Sequence, residues 1–173
     1  MKEKPSYENY PVSDEEMGIR YKNWTESLAV QMAAVYEVGK EVGGEKFVEK
    51  LKEKYRAMGI AQADMFLKMA GLTPEDFKDV TGIAKLSDAI DDRYANFWDG
   101  YIEKTPKAFE KELTTCPVTK YWTKTPELCE VFLYELFKAM GERLNPKYKF
   151  LGFSQLLPKG DKCCRYRIEM EED

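Results

Sequence analysis

The chain contains no histidine among its 173 residues. This excludes the most common general base, the most common nitrogen ligand of zinc and any serine triad that depends on an imidazole. Long hydrophobic runs are also missing, so no segment of the sequence is long enough and apolar enough to span a bilayer. Basic blocks are absent too. Lysines alternate with glutamates at a net charge of −4, which argues against a nucleic-acid partner.

The composition, with 43% hydrophobic and 34% charged residues, is typical of a folded protein. The length predicts a single domain over residues 1–173. The first ten residues combine lysine and glutamate without an apolar core, so we expect no secretory signal and a cytoplasmic location. In a reducing compartment the four cysteines are expected to be thiols, used for packing, metal binding or chemistry.

Helical patterns fill residues 13–98. A capping box from Ser13 to Glu16 predicts a helix start. Apolar residues at three- and four-residue steps predict one buried stripe on this helix: Met17, Tyr21, Trp24, Leu28, Met32, Val35 and Val42. Gly43 and Gly44 predict a turn into a second helix that packs antiparallel on the first. Its predicted apolar residues are Phe47, Val48, Leu51, Tyr55, Met58, Met65, Phe66 and Met69.

Residues 99–173 show a different period. Alternating residues predict strands over 100–105, 108–116, 149–157 and 163–170, with a helix that starts at Pro126 between the second and third. The predicted fold class is therefore α+β, in which N-terminal antiparallel helices pack with a C-terminal β-β-α-β-β antiparallel sheet.

The four cysteines are the first candidate functional residues. Cys129 lies on an apolar helix stripe, and Cys116 lies at the predicted end of a strand. In the last strand, alternation predicts that Cys164 faces the core and that Cys163 is a partly exposed neighbour. If Cys116, Cys129 and Cys164 converge beneath the helix, they form either a thiolate site for zinc or iron or a nucleophile. Ordinary core packing is the alternative for each thiol.

Four segments carry a family resemblance: TTCPVTKYW, PELCEVFLYEL, LNPKYKF and KGDKCCRYRIE. Together they resemble the family named for L-2-amino-thiazoline-4-carboxylic acid hydrolase, whose members similarly have a strand ending in Cys-Pro, a cysteine early in the next helix and a closing Gly-Asp-x-x-Cys-x-aromatic strand. The resemblance extends from about Trp24 onward. Cys116, Cys129 and Cys164 take the family positions, whereas Cys163 is extra. Vinyl-four-reductase-type ligand-binding domains are similar more distantly.

The resemblance implies a hydrolase that acts on a small heterocycle or amide, with thiazoline ring opening to N-carbamoyl-L-cysteine as the family reaction. The implied catalytic residues are Cys116, Cys129 and Cys164. Because the chain has no histidine, proton transfer would fall to a carboxylate or a tyrosine, and Asp92 is the predicted carboxylate. A non-catalytic module that binds a small ligand or a metal ion through the same cysteines is the alternative. We expect a small-molecule partner, no nucleic acid, no membrane, and formation of a homo-oligomer.

Three further residues are predicted to bind the substrate. Arg93 could hold a substrate carboxylate in a bidentate contact, and Asp161 and Tyr166 lie close to the last cysteines in the sequence. Each of the three has a simpler interpretation: Arg93 belongs to a solvated helix face, Asp161 is a turn residue and Tyr166 is a core aromatic. The same helix face would include Asp92.

Overall fold

The computed structural model describes residues 14–70, 72–94 and 100–171, with the backbone alone for residues 14, 17, 69–70 and 89–94. It begins with one long helical element, α1, which spans Asp14–Ala70 and is broken at Gly44. There the backbone has φ 56° and ψ −148°, a conformation that only glycine adopts without strain. The predicted break between two helices is therefore confirmed, and their antiparallel packing stays a prediction.

The remaining elements follow in the predicted order. They are helix α2 (Val80–Tyr94), strands β1 (Gly100–Lys104) and β2 (Ala108–Leu113), helices α3 (Thr119–Trp122), α4 (Glu127–Cys129) and α5 (Glu135–Leu144), and strands β3 (Tyr148–Gln155) and β4 (Cys164–Met170). A π-helical segment, Glu130–Tyr134, joins α4 to α5. The α+β fold class is confirmed.

The four strands form one antiparallel sheet in the order β1-β2-β4-β3. The last strand therefore lies between β2 and β3, and the register pairs Leu113 of β2 with Cys164 of β4. Strand β2 ends at Leu113 rather than at residue 116, so the prediction that Cys116 ends a strand is wrong. Cys116 instead lies in the connection to α3.

Two hydrophobic clusters hold the helices to the sheet. One combines the C-terminal part of α1 with α2, α5 and the middle of the sheet, around Phe109 and Ile168. The other combines the N-terminal part of α1 with α3, α4 and the start of β4, around Trp122 and Leu128. Gly59 marks the close approach of α1 to α5, since a Cβ at this position would lie 2.3 Å from the Leu136 carbonyl oxygen.

The predicted buried stripe on the first helix is wrong. Trp24, Val35 and Val42 are exposed, and the buried residues on this helix are instead Ala29, Ala33 and Tyr36. The small alanines allow the helix to approach α3 and α4 closely, and this contact turns the larger residues outward. Met58 and Met65 of the second helical part are exposed as well. Within the described residues no helix has the length and hydropathy needed to cross a membrane.

Candidate active site

Three of the four cysteines lie in one region of the fold. Cys116 lies between β2 and α3, Cys129 is the last residue of α4, and Cys164 is the first residue of β4. Cys129 and Cys164 are buried in the cluster around Trp122, and Cys116 is half-buried. The three sulfurs are close enough to perturb one another: the pKa of Cys129 is raised first by burial and then by Cys116 and Cys164.

Cys116 differs from the other two thiols in its surroundings: it is half-buried, whereas Cys129 and Cys164 are buried. Burial is the largest influence on its pKa and raises it, but the backbone N–H groups of Val118 and Thr119 and the Thr119 hydroxyl oppose that rise. Donors directed at sulfur stabilise the thiolate form. The Thr119 hydroxyl is buried and has no oxygen or nitrogen partner among the described residues, which leaves it available to the sulfur or to a bound molecule.

The turn that carries Cys116 is held in place by α3. The Thr119 N–H donates to the Cys116 carbonyl over 3.2 Å, so the chain turns immediately after Pro117. Trp122, at the end of α3, is fully buried, and its indole N–H donates to the Ala29 carbonyl of α1 over 3.0 Å. A buried tryptophan with a satisfied N–H is a strong anchor, so α3 and the turn that carries Cys116 are held against α1.

Cys164 receives one donor. The Leu157 N–H donates to its sulfur over 3.3 Å, but burial dominates and raises the pKa of Cys164 to about 11. For Cys129, burial and the neighbouring thiols raise the pKa well above the ordinary range. Cys129 and Cys164 are therefore neutral thiols at physiological pH, and Cys116 is the best placed of the three to become a thiolate.

Asp161 supports the turn next to Cys164. Its carboxylate accepts from the Leu156 N–H over 2.7 Å, and the turn ends at Gly160, which has φ 93°. These contacts favour the simpler interpretation, in which Asp161 holds the segment that presents the Leu157 N–H to Cys164.

Cys163 is buried rather than partly exposed, so this part of the sequence prediction is wrong. Only 3% of the residue is exposed, and its thiol donates to the Gln155 side-chain oxygen over 2.7 Å. Cys163 precedes β4 and lies under the end of β3, so strand alternation does not determine its exposure. Alternation does hold from Cys164 onward, where Cys164 and Tyr166 are buried and Arg165 is half-buried between them.

Tyr166 lies with a different group of residues. Its hydroxyl is 3.1 Å from the Ser87 hydroxyl, and both line a mainly apolar cavity of about 50 Å³ between α2, α5 and the sheet. The ammonium of the fully buried Lys111 donates to Ser87 over 3.2 Å and to Asp88 over 3.0 Å. Sequence reasoning missed Ser87 and Lys111, because a lysine in an alternating strand normally faces water.

Two predicted residues, Asp92 and Arg93, lie in the C-terminal part of α2. Their side chains lie outside the described part of the structure. Their predicted roles, in proton transfer and in binding a carboxylate, therefore stay predictions.

A polar cleft of about 520 Å³ opens above the thiol-containing cluster. Its walls include Tyr36, Val48 and Val131, which are also members of that cluster. Lys40 and Glu127 form an ion pair of 2.8 Å at the cleft. The cleft borders the π-helical segment, and such segments often lie at functional sites. It combines residues from α1, α4, the π segment and β3, so no single stretch of sequence predicts it.

The described residues contain no group of three cysteine, aspartate or glutamate side chains placed to hold one metal ion. Binding of zinc or iron by Cys116, Cys129 and Cys164 stays a prediction.

The fold and the site define an α+β protein without histidine, in which three of the four thiols lie in one region of the fold. A family model described as L-2-amino-thiazoline-4-carboxylic acid hydrolase matches residues 22–168. The chain belongs to this family, and a hydrolase-type function follows at the level of the family.

One solved structure illustrates how widely the fold is shared. A trafficking protein particle complex subunit 3 from Naegleria fowleri, covalently bound to palmitic acid, superimposes with a TM-score of 0.56 at 13% identity, over 90% of this chain and 93% of that one. This likeness concerns the fold alone. No curated protein matches the chain.

Proposed function

We propose that the protein hydrolyses a small cyclic amidine of the 2-aminothiazoline-4-carboxylate type, with Cys116 as the nucleophile and N-carbamoyl-L-cysteine as the product. The observation that carries the proposal is the position of Cys116: it is half-buried where Cys129 and Cys164 are buried, and it lies on the turn before α3 with the buried, unpartnered Thr119 hydroxyl. Membership of the family supports a hydrolase.

A neutral thiol suits this substrate. The ring nitrogen of a 2-aminothiazoline is basic, so it can take the proton of the Cys116 thiol directly. This transfer creates the nucleophile and activates the electrophile in the same step, because protonation makes the carbon between sulfur and nitrogen more electrophilic. No imidazole is needed, which fits a chain without histidine.

The bonds then change in two steps. The Cys116 thiolate attacks the ring carbon between sulfur and nitrogen, and the ring carbon–sulfur bond breaks with the electron pair leaving on the substrate sulfur. Water next adds to the same carbon, and the bond to Cys116 breaks with its electron pair returning to that sulfur. The water oxygen becomes the urea carbonyl, and its two protons end on the Cys116 sulfur and the substrate sulfur.

Other residues receive supporting roles. Cys129 and Cys164 are proposed to form an apolar wall beside the nucleophile, and the polar cleft, which shares Tyr36, Val48 and Val131 with their cluster, is proposed to admit the substrate. Asp92 is proposed to assist proton transfer in the water step, and Arg93 to bind the substrate carboxylate. For Asp161 we propose an indirect role through the Leu157 turn.

The test is product formation from 2-aminothiazoline-4-carboxylate, followed by chromatography and mass spectrometry on the purified full chain. We expect turnover that Cys116→Ser abolishes and that Cys163→Ser retains. The second variant is a matched control, because Cys163 is also a buried thiol but hydrogen-bonds Gln155 outside the three-thiol group. Loss of turnover in Cys163→Ser but not in Cys116→Ser would contradict the assignment of the nucleophile.

The same purified protein distinguishes the hydrolase from the non-catalytic binding module. Stoichiometric zinc or iron in a metal analysis, or a stable covalent acyl adduct on a cysteine, without any turnover, would favour a binding module.

A further inference from the structure

The N-terminal part of α1 carries an exposed row of large apolar side chains, which we call the outer stripe. It consists of Trp24, Leu28, Val35, Val38 and Val42, with exposed fractions of 65%, 40%, 64%, 59% and 84%. These residues follow one another at steps of four, seven, three and four, so they occupy a and d positions of a heptad repeat. Gln31 occupies the one a or d position between Trp24 and Val42 that is not apolar.

This helix is apolar on two sides. Ala29, Ala33 and Tyr36 are buried against α3 and α4. At 3.6 residues per turn, the centre of the outer stripe lies about 140° around the helix from the centre of that buried face. A surface helix with a single contact has one apolar stripe, so the second stripe indicates a second contact.

The exposed area is large enough for a modest interface. From the exposed fractions and typical side-chain areas, the outer stripe presents about 420 Å² of apolar surface, within the range of the largest patches seen on monomers. Two copies would contribute about 840 Å². At the usual apolar share of about 60%, the total buried area is about 1,400 Å², in the lower half of the range of stable interfaces.

We propose that the outer stripe is a dimer interface, in which the α1 helices of two copies of this chain pack antiparallel around a twofold axis near residues 30 and 31. Arg20 and Glu41 border the stripe at its two ends, both at the heptad position that faces a partner helix. In the antiparallel arrangement Arg20 of each copy lies opposite Glu41 of the other, so the dimer contains two such pairs. A parallel arrangement would bring Arg20 to Arg20 and Glu41 to Glu41.

The side chains between these charges fit the same arrangement. Ser27 and Ala34 are the other two residues on this border, and they meet each other in the antiparallel register. Both are small, so the helices can approach closely. Trp24 of one copy then lies beside Val35 and Val38 of the second, which places the largest ring against two short side chains.

Other binding partners fit the outer stripe less well than a second copy of the chain. A membrane surface favours helices with lysine and arginine on the polar face, whereas this helix has Glu26, Glu37 and Glu41 in a chain of net charge −4. Residues 1–13 of the same chain include two prolines and few apolar side chains, and they join α1 at the end far from Val42.

Sedimentation equilibrium of the full chain at about 1–100 µM tests the proposal, since a dimer has twice the mass of the 20.1 kDa chain. We expect a dimer that Val35→Lys weakens about 100-fold, because two lysines enter the interface of each dimer. Val30→Lys is the matched control: Val30 is 47% exposed on the same helix but lies off the outer stripe, so its dissociation constant should stay within about threefold of wild type. Circular dichroism should show native helix content for both variants.

Charge exchange tests the orientation. Arg20→Glu should weaken the dimer, and Arg20→Glu combined with Glu41→Arg should restore it. A monomer throughout the concentration range, or equal effects of Val35→Lys and Val30→Lys, would overturn the interface. A dimer that the double exchange fails to restore would overturn the antiparallel arrangement.

Discussion

Replacing Asp88 should destabilise the protein more than replacing its partner Lys111. The Lys111 side chain is fully buried, whereas 27% of the Asp88 side chain is exposed. Asp88→Ala removes the carboxylate that pairs with the buried Lys111 ammonium over 3.0 Å, and loss of one partner of a buried ion pair costs about 3–5 kcal/mol. Lys111→Met leaves a carboxylate that still accepts from Tyr101 over 2.6 Å and pairs with Lys104 over 3.4 Å, so we expect about 1–2 kcal/mol.

Urea denaturation of the two single variants and of the double variant measures this difference. The double variant should be more stable than Asp88→Ala alone, because it no longer buries an ammonium that has lost the Asp88 carboxylate. A Lys111→Met variant as unstable as Asp88→Ala would refute the reasoning from burial.

The same pair gives a dependence on pH. Burial raises the pKa of Asp88, but the hydrogen bond from Tyr101 and the contact with Lys111 outweigh it and hold the pKa below the ordinary value of 3.8. A lowered pKa stabilises the fold above the unfolded value, and this contribution is lost as the pH falls below about 4. Wild type should lose more stability than Asp88→Ala between neutral pH and pH 3.

Further predictions concern backbone packing and thiol reactivity. Gly59→Ala should destabilise the protein by about 1–3 kcal/mol, because the added Cβ would meet the α5 backbone. Gly18→Ala has nothing within 4 Å of the added Cβ and should stabilise the protein by up to about 1 kcal/mol. Thermal or urea denaturation measures both changes, and a stabilised Gly59→Ala variant would contradict the close approach of α1 to α5. Cys164, with a pKa of about 11, should react with iodoacetamide at pH 8 about 200-fold more slowly than an ordinary exposed thiol, as followed by peptide mass spectrometry. Labelling of Cys164 at the rate of an exposed thiol would contradict its burial.

The sequence predicted the order of elements because local signals define them. Gly44 supplies the one backbone conformation that breaks α1, and Pro126 precedes α4. Alternation from Cys164 to Met170 correctly predicted which side of β4 is buried. Each of these signals depends on a few neighbouring residues, so no knowledge of the tertiary fold was needed.

Tertiary contacts determine the features that local sequence patterns did not predict. The first helix has two apolar faces, and periodicity alone favoured the face with larger side chains, whereas the close contact with α3 and α4 selects the small alanines. Cys163 is buried by Gln155, which belongs to another strand. Cys116 lies in a turn after β2, whereas alternation in the sequence extended the strand to residue 116.

The most direct test of the central claim is mass spectrometry of a reaction quenched during turnover of 2-aminothiazoline-4-carboxylate. The account predicts a covalent adduct with the mass of one substrate molecule on the peptide that contains Cys116, and its absence in Cys116→Ser. Turnover that continues in Cys116→Ser, or an adduct on a different cysteine, would contradict it.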